Sequence, residues 1–94
     1  MQAGADTDVT FQIPPSVVAQ EVEGEAVILD LGSGRYFGLD VAGTRIWQLL
    51  GEGKSRETVL RAMLAEFDVD EERLRRDLEA LLAELLARGL VEPR

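Results

Sequence analysis

Residues Leu29 to Asp40, "LDLGSGRYFGLD", decide how the rest of the chain is read. Apolar and polar residues alternate up to Leu31. Gly32-Ser33-Gly34 then reverses the chain, because glycine accepts the backbone conformations of a tight turn. Arg35 to Leu39 returns as a second extended run, so the stretch predicts a β-hairpin. On the returning strand Phe37 and Leu39 share one face, and Tyr36 and Gly38 share the other. From Asp40 the apolar period changes from two to 3.6, and Asp40 is placed to cap a helix. Two of the five aromatic residues, Tyr36 and Phe37, stand side by side here. Either both rings pack inside, or this strand is where something docks.

Working towards the N-terminus, Val27, Leu29 and Leu31 fall on one face of the preceding strand, with Ile28 and Asp30 on the other. Glu23-Gly24-Glu25 reads as a turn, and a first strand is expected over Val17 to Val22, after Pro14-Pro15 breaks the chain. Residues 1–14 are expected to be irregular or flexible, and 15–92 to form one domain. The strands make a three-stranded antiparallel meander whose third member, Arg35 to Leu39, leaves one edge open.

Towards the C-terminus, helices are predicted over Val41 to Leu50, capped by Asp40, and over Arg56 to Glu66, capped by Ser55. Ile46, Trp47, Leu49 and Leu50 are the apolar residues of the first; Val59, Leu60, Met63, Leu64 and Phe67 repeat at helical spacing along the second. Asp70 caps a third helix. Glu71 and Glu72 in its first turn suit the positive end of the dipole, and Val69 is placed to pack on Leu74. Leu74, Leu78, Leu81, Leu82, Leu85 and Leu86 form one stripe, Gly89 ends the helix, and Leu90 and Val91 pack back. Strands followed by helices predict an α+β domain: a three-stranded antiparallel sheet and then three helices, the last two fitting a helix-turn-helix.

The composition narrows the function. A chain of 94 residues with 46% apolar content forms one small globular domain. It has no cysteine and no histidine, so disulfides, thiolate sites and the commonest catalytic groups are excluded. The net charge of -8 weighs against nucleic acid. No signal or membrane-spanning pattern is visible, and a cytoplasmic location is expected. "DVDEE" at Asp68 to Glu72 lacks the glycine and the terminal acid of a calcium loop. "GSGRYFG" is followed neither by Lys-Ser/Thr nor by a helix, so it is no phosphate loop. No metal or cofactor is expected, and no enzyme activity. Arg73, Arg75 and Arg76 leave open a DNA-reading helix, although Glu71, Glu72, Asp77, Glu79 and Glu84 share it and i,i+4 pairing explains the mixture. A wide leucine stripe beside an open strand edge leaves open a groove for an extended peptide, which adds a strand and drops alternate side chains into apolar pockets.

Three stretches carry a resemblance: "VILDLGSGRYFGLD", "GTRIWQLL" (Gly43 to Leu50) and "AEFDVDEERLRRDLEALLAELLARGLV" (Ala65 to Val91). Together they are similar to the PqqD-like proteins, or RiPP precursor peptide recognition elements, over about Pro15 to Val91. The resemblance implies a winged-helix-like domain that holds no cofactor, binds the leader of a ribosomally made precursor peptide and presents it to maturation enzymes. It places the leader against the edge of the third strand, in the cleft facing the third helix. Carried onto this sequence, the strand contributes Arg35, Tyr36, Phe37, Gly38 and Leu39. The helix contributes Asp70, Arg73, Leu74, Asp77, Leu78 and Leu81, and Val27 and Leu29 floor the cleft. In the lasso peptide branch the partner is a separate cysteine protease that removes the leader. In the pyrroloquinoline quinone branch it is a radical SAM enzyme. The resemblance favours the lasso branch, with the quinone branch as the alternative and a DNA-binding winged helix as a second one.

Overall fold

The computed structural model describes residues 9–94. Its elements are strands β1 (Phe11–Gln12), β2 (Val17–Val22), β3 (Glu25–Asp30) and β4 (Arg35–Gly38), helices α1 (Val41–Gly51), α2 (Arg56–Glu66) and α3 (Glu71–Ala87), and a final strand β5 (Glu92–Pro93). The main sheet has the order β2-β3-β4, antiparallel throughout, as the meander requires. The α+β class and the succession of three strands and three helices are as the sequence predicts.

Local chemistry explains the turns and helix starts. Glu23 and Gly24 both have positive φ, at 55° and 84°, which is the two-residue reversal whose twist matches a hairpin. At the second turn Asp30 accepts hydrogen bonds from the Gly32 N–H at 3.0 Å and the Ser33 hydroxyl at 3.1 Å. All three expected caps form: Asp40 accepts from the Gly43 N–H, Ser55 from that of Thr58 and Asp70 from that of Arg73. Gly89, at φ 71°, follows α3 in the left-handed conformation that ends helices.

Phe11 was expected in an irregular segment. Residues 1–8 lie outside the described residues, but Phe11–Gln12 pair with Glu92–Pro93, and Phe11 is buried. A two-residue strand whose partner lies at the far end of the chain leaves no local period to read. Leu90 and Val91 pack into the core as expected.

The core lies between one face of the sheet and the helices. Ala26 and Ile28 supply the sheet side, with Ile46, Trp47, Leu50, Val59, Leu60 and Met63 from α1 and α2, and Leu74, Leu78, Leu82 and Leu85 from α3. Thr44 is the one buried polar residue among the described residues. Its hydroxyl accepts the Ala26 N–H at 2.8 Å, while the Ala26 carbonyl accepts the Leu39 N–H at 2.8 Å. Gly43 sits where a Cβ would lie 3.1 Å from Asp40 Oδ1 and 3.2 Å from Leu39 Cδ2, so a side chain there would press on the Asp40 cap and on Leu39. On the surface, Arg45 forms a two-pronged pair with Glu66, at 2.9 and 3.1 Å, tying α1 to α2.

Thr44→Val keeps the shape but leaves the Ala26 N–H without a partner. We expect a loss of about 1–3 kcal/mol in urea unfolding, and a smaller one for Thr44→Ser. The hydrogen bonds from Arg45 hold the Glu66 carboxyl below its ordinary pKa. A carboxyl depressed in the folded state stabilises at neutral pH, and that contribution disappears as pH falls through its folded pKa. Glu66→Gln should therefore flatten the acid limb of the stability curve, read from melting temperatures between pH 7 and pH 3.

Candidate functional site

β4 is an edge strand, and the alternation of the ladder shows which of its backbone groups are free. Leu39 donates to Ala26, and Phe37 and Arg35 stand opposite Ile28 and Asp30. In an antiparallel pair the bonding residues alternate, so the N–H and C=O groups of Tyr36 and Gly38 point away from β3. They form a short open row of donors and acceptors. β2 is the other edge; it follows Pro14-Pro15, and the depression it borders on the outer face of the sheet is about half the volume of the cleft beside β4.

Beside the β4 edge runs a cleft of about 750 Å³. Phe37, Gly38, Leu39 and Asp40 form one wall. Ala42, Gly43 and Ile46 of α1 and Met63 and Phe67 at the end of α2 form the floor and one end. The facing wall is the α3 stripe Asp70, Arg73, Leu74, Asp77 and Leu81, preceded by Asp68 and Val69. The intervals of three, four, seven and eleven residues from the cap Asp70 put that stripe on one side of the helix. The α3 face of the cleft is thus a seam between the core stripe and the solvated face.

Eight of the residues expected at the site line this cleft: Phe37, Gly38, Leu39, Asp70, Arg73, Leu74, Asp77 and Leu81. Leu78 does not; at 1% exposed it lies in the core beneath the cleft. Val27 and Leu29 do not floor it either. Ile28 is the residue of β3 that turns inward, so its neighbours face the opposite side of the sheet. There they border a shallow depression with Val18, Ala19, Gln20 and Tyr36. The two-residue period assigned these side chains to a common face, but only the helices decide which face is covered.

The aromatic pair is split by the same alternation. Tyr36 is 74% exposed on the outer face, while Phe37 is partly buried against the core. The Arg88 guanidinium lies 4.7 Å from the centre of the Phe37 ring, a cation–π contact that holds the end of α3 to β4. Arg35 lies with Arg88 around a small hollow next to the cleft rather than in it. Asp40, Ala42, Gly43, Ile46, Met63, Phe67, Asp68 and Val69 were not anticipated: an apolar residue at helical spacing reads as core unless its neighbours are known, and a cap or linker residue reads as local structure.

Among the described residues no group of three or more acidic side chains is clustered so as to hold a metal ion. Two of the three arginines of α3 pair with acids: Arg75 with Glu71 at 3.1 Å and Glu57 at 3.4 Å, and Arg73 with Asp77 at 3.9 Å. No helix is long and apolar enough to cross a membrane among the described residues.

The family model for coenzyme PQQ synthesis protein D matches residues 25–91. Two solved structures are similar to the chain over most of its length. One is TbiB1 in complex with the TbiA(beta) leader peptide, 43% identical, with a TM-score of 0.80, covering 86% of this chain and 94% of that one. The other is lasso peptide synthetase B1 complexed with the leader peptide, 29% identical, with a TM-score of 0.79, covering 88% of this chain and 98% of that one. No curated protein matches in sequence.

Leu78 and Leu81 lie one turn apart but should separate in stability. Leu78→Ala empties a filled core position and should cost about 2–5 kcal/mol. Leu81→Ala, at the cleft wall, should cost about 1 kcal/mol. Urea unfolding of the two variants checks the assignment of core and cleft.

Proposed function

The chain belongs to the PqqD family, and from that premise we propose that it binds the leader segment of a ribosomally made precursor peptide in lasso peptide biosynthesis. The observation that carries the reading is the open β4 edge running along an apolar cleft. The lasso branch is favoured over quinone biosynthesis because both similar structures, of near-equal length to this chain, are complexes with a leader peptide, one of them of a lasso peptide synthetase.

The geometry suits strand addition. A peptide laid against β4 takes the outward N–H and C=O groups of Tyr36 and Gly38. Its side chains then alternate in direction. Those on the Phe37 and Leu39 side enter the cleft, between β4 and the α3 residues Leu74 and Leu81. Those on the Tyr36 side lie over Val27 and Leu29, which gives these two a place in binding on the outer face. Gly38 leaves open space where a side chain would stand, so the peptide can lie close. Arg35 and Arg73 border the path. The chain acts without a catalytic group of its own: it orders the leader, and a separate cysteine protease removes it.

Fluorescence anisotropy with labelled TbiA(beta) leader peptide tests the reading. We expect saturable binding, abolished by N-methylation at alternate peptide positions and tolerant of it at the positions between. Tyr36→Ala should weaken binding severalfold while shifting stability by no more than about 0.5 kcal/mol, since the ring is exposed. Uniform tolerance of N-methylation would rule out strand addition.

A further inference from the structure

The cleft is apolar in its walls but charged at its rim, and the charge has one dominant sign. Asp40, Asp68, Asp70 and Asp77 all line it, against Arg73 alone. Asp40 and Asp70 each use one carboxylate oxygen to cap a helix, which leaves the other free. The two helix N-termini they cap contribute roughly half a positive charge each. Together with Arg73 these offset about two of the four carboxylates, so about two negative charges remain. The pairing of Arg73 with Asp77 is loose, at 3.9 Å between two largely exposed side chains, and leaves Asp77 available. Asp68 has no cationic partner among the ion pairs of the described residues.

Position matters as much as sum. Arg88 rests on Phe37 and shares a hollow with Ser33 and Arg35, which sets the C-terminal end of α3 beside the start of β4. Asp68 and Asp70, at the other end of α3, therefore lie towards Asp40, where β4 passes into α1. Low-dielectric walls on either side focus the field of these carboxylates into the cleft. A peptide side chain that enters the apolar part has its neighbours carried along this acidic border.

We propose that the cleft selects leaders bearing a lysine or arginine at a fixed spacing from the apolar residue that fills it. Apolar contact with Phe37, Leu74 and Leu81 anchors the peptide, and the acidic border discriminates among peptides that anchor equally well. The inference rests on the peptide-binding reading above. It concerns selectivity, so the two can fail separately.

The test uses short soluble versions of the TbiA(beta) leader in which each position in turn is lysine, glutamine or glutamate, with affinities read by anisotropy. At one or two positions lysine should bind about fivefold more tightly than glutamine, and glutamate more weakly than either. That preference should grow at low salt and shrink in the double variant Asp68→Asn/Asp77→Asn. Neither residue caps a helix, so the variant should keep its melting temperature, which verifies that folding is intact. Asp68→Lys should reverse the preference at the affected position. Equal binding of the lysine, glutamine and glutamate peptides would overturn the selectivity and leave the peptide site standing. Binding of no peptide in the series would overturn both.

Discussion

The hydrogen bond from the Ala26 N–H to the buried Thr44 hydroxyl is the constraint on which the rest depends. Ala26 lies at the end of the β3–β4 ladder, where the partner strand has already turned towards α1. Its carbonyl is met by Leu39, but its N–H has no backbone partner left. A buried donor without a partner costs more than the bond itself is worth. Thr44, in the first turn of α1, supplies the acceptor and so fixes α1 against the sheet. Gly43 permits the close turn beside it. "GTRIW" is thus a joint: Gly43 gives clearance, Thr44 the lock, Arg45 the strap to α2, and Ile46 and Trp47 the core.

That joint also makes the cleft. With α1 held at the end of β4, α2 and α3 pack beyond it. Arg88 closes one end against Phe37. Towards the other end a hollow opens between helix and strand, lined by Leu39, Ile46, Met63 and Leu74. Among the described residues the edge of β4 stays open, because no later segment returns to it; β5 pairs instead with β1. An open edge is a hazard in an isolated sheet, but beside an apolar hollow it is a template for an extended peptide.

Much of this was legible in the residues. Asp40, Ser55 and Asp70 announced the helix starts because a cap is a local event, decided by one side chain and an N–H three residues on. Glu23-Gly24 and Gly32-Ser33-Gly34 announced the turns for the same reason. The Asp70, Arg73, Leu74, Asp77 and Leu81 seam came with the family resemblance, which also placed in it Leu78, a residue the structure buries in the core. Phe11 was misplaced because its partner, Pro93, is distant in sequence. Val27 and Leu29 were misplaced because a period of two separates the faces of a strand without naming the covered one.

The sequence by itself determined the three strands of the main sheet, the three helices, their order, and the alternation that parts Tyr36 from Phe37; the pairing of β1 with β5 was not legible in it. The features it determined are short-range properties, set by capping, turn chemistry and period. Only the tertiary structure decided which face of the sheet the helices cover, that Leu78 lies inside while Leu81 borders a cleft, and that Ile46, Met63 and Phe67 contribute to it. Those outcomes depend on how three helices share one sheet face, and burial is a property of that shared volume rather than of any single stretch of chain.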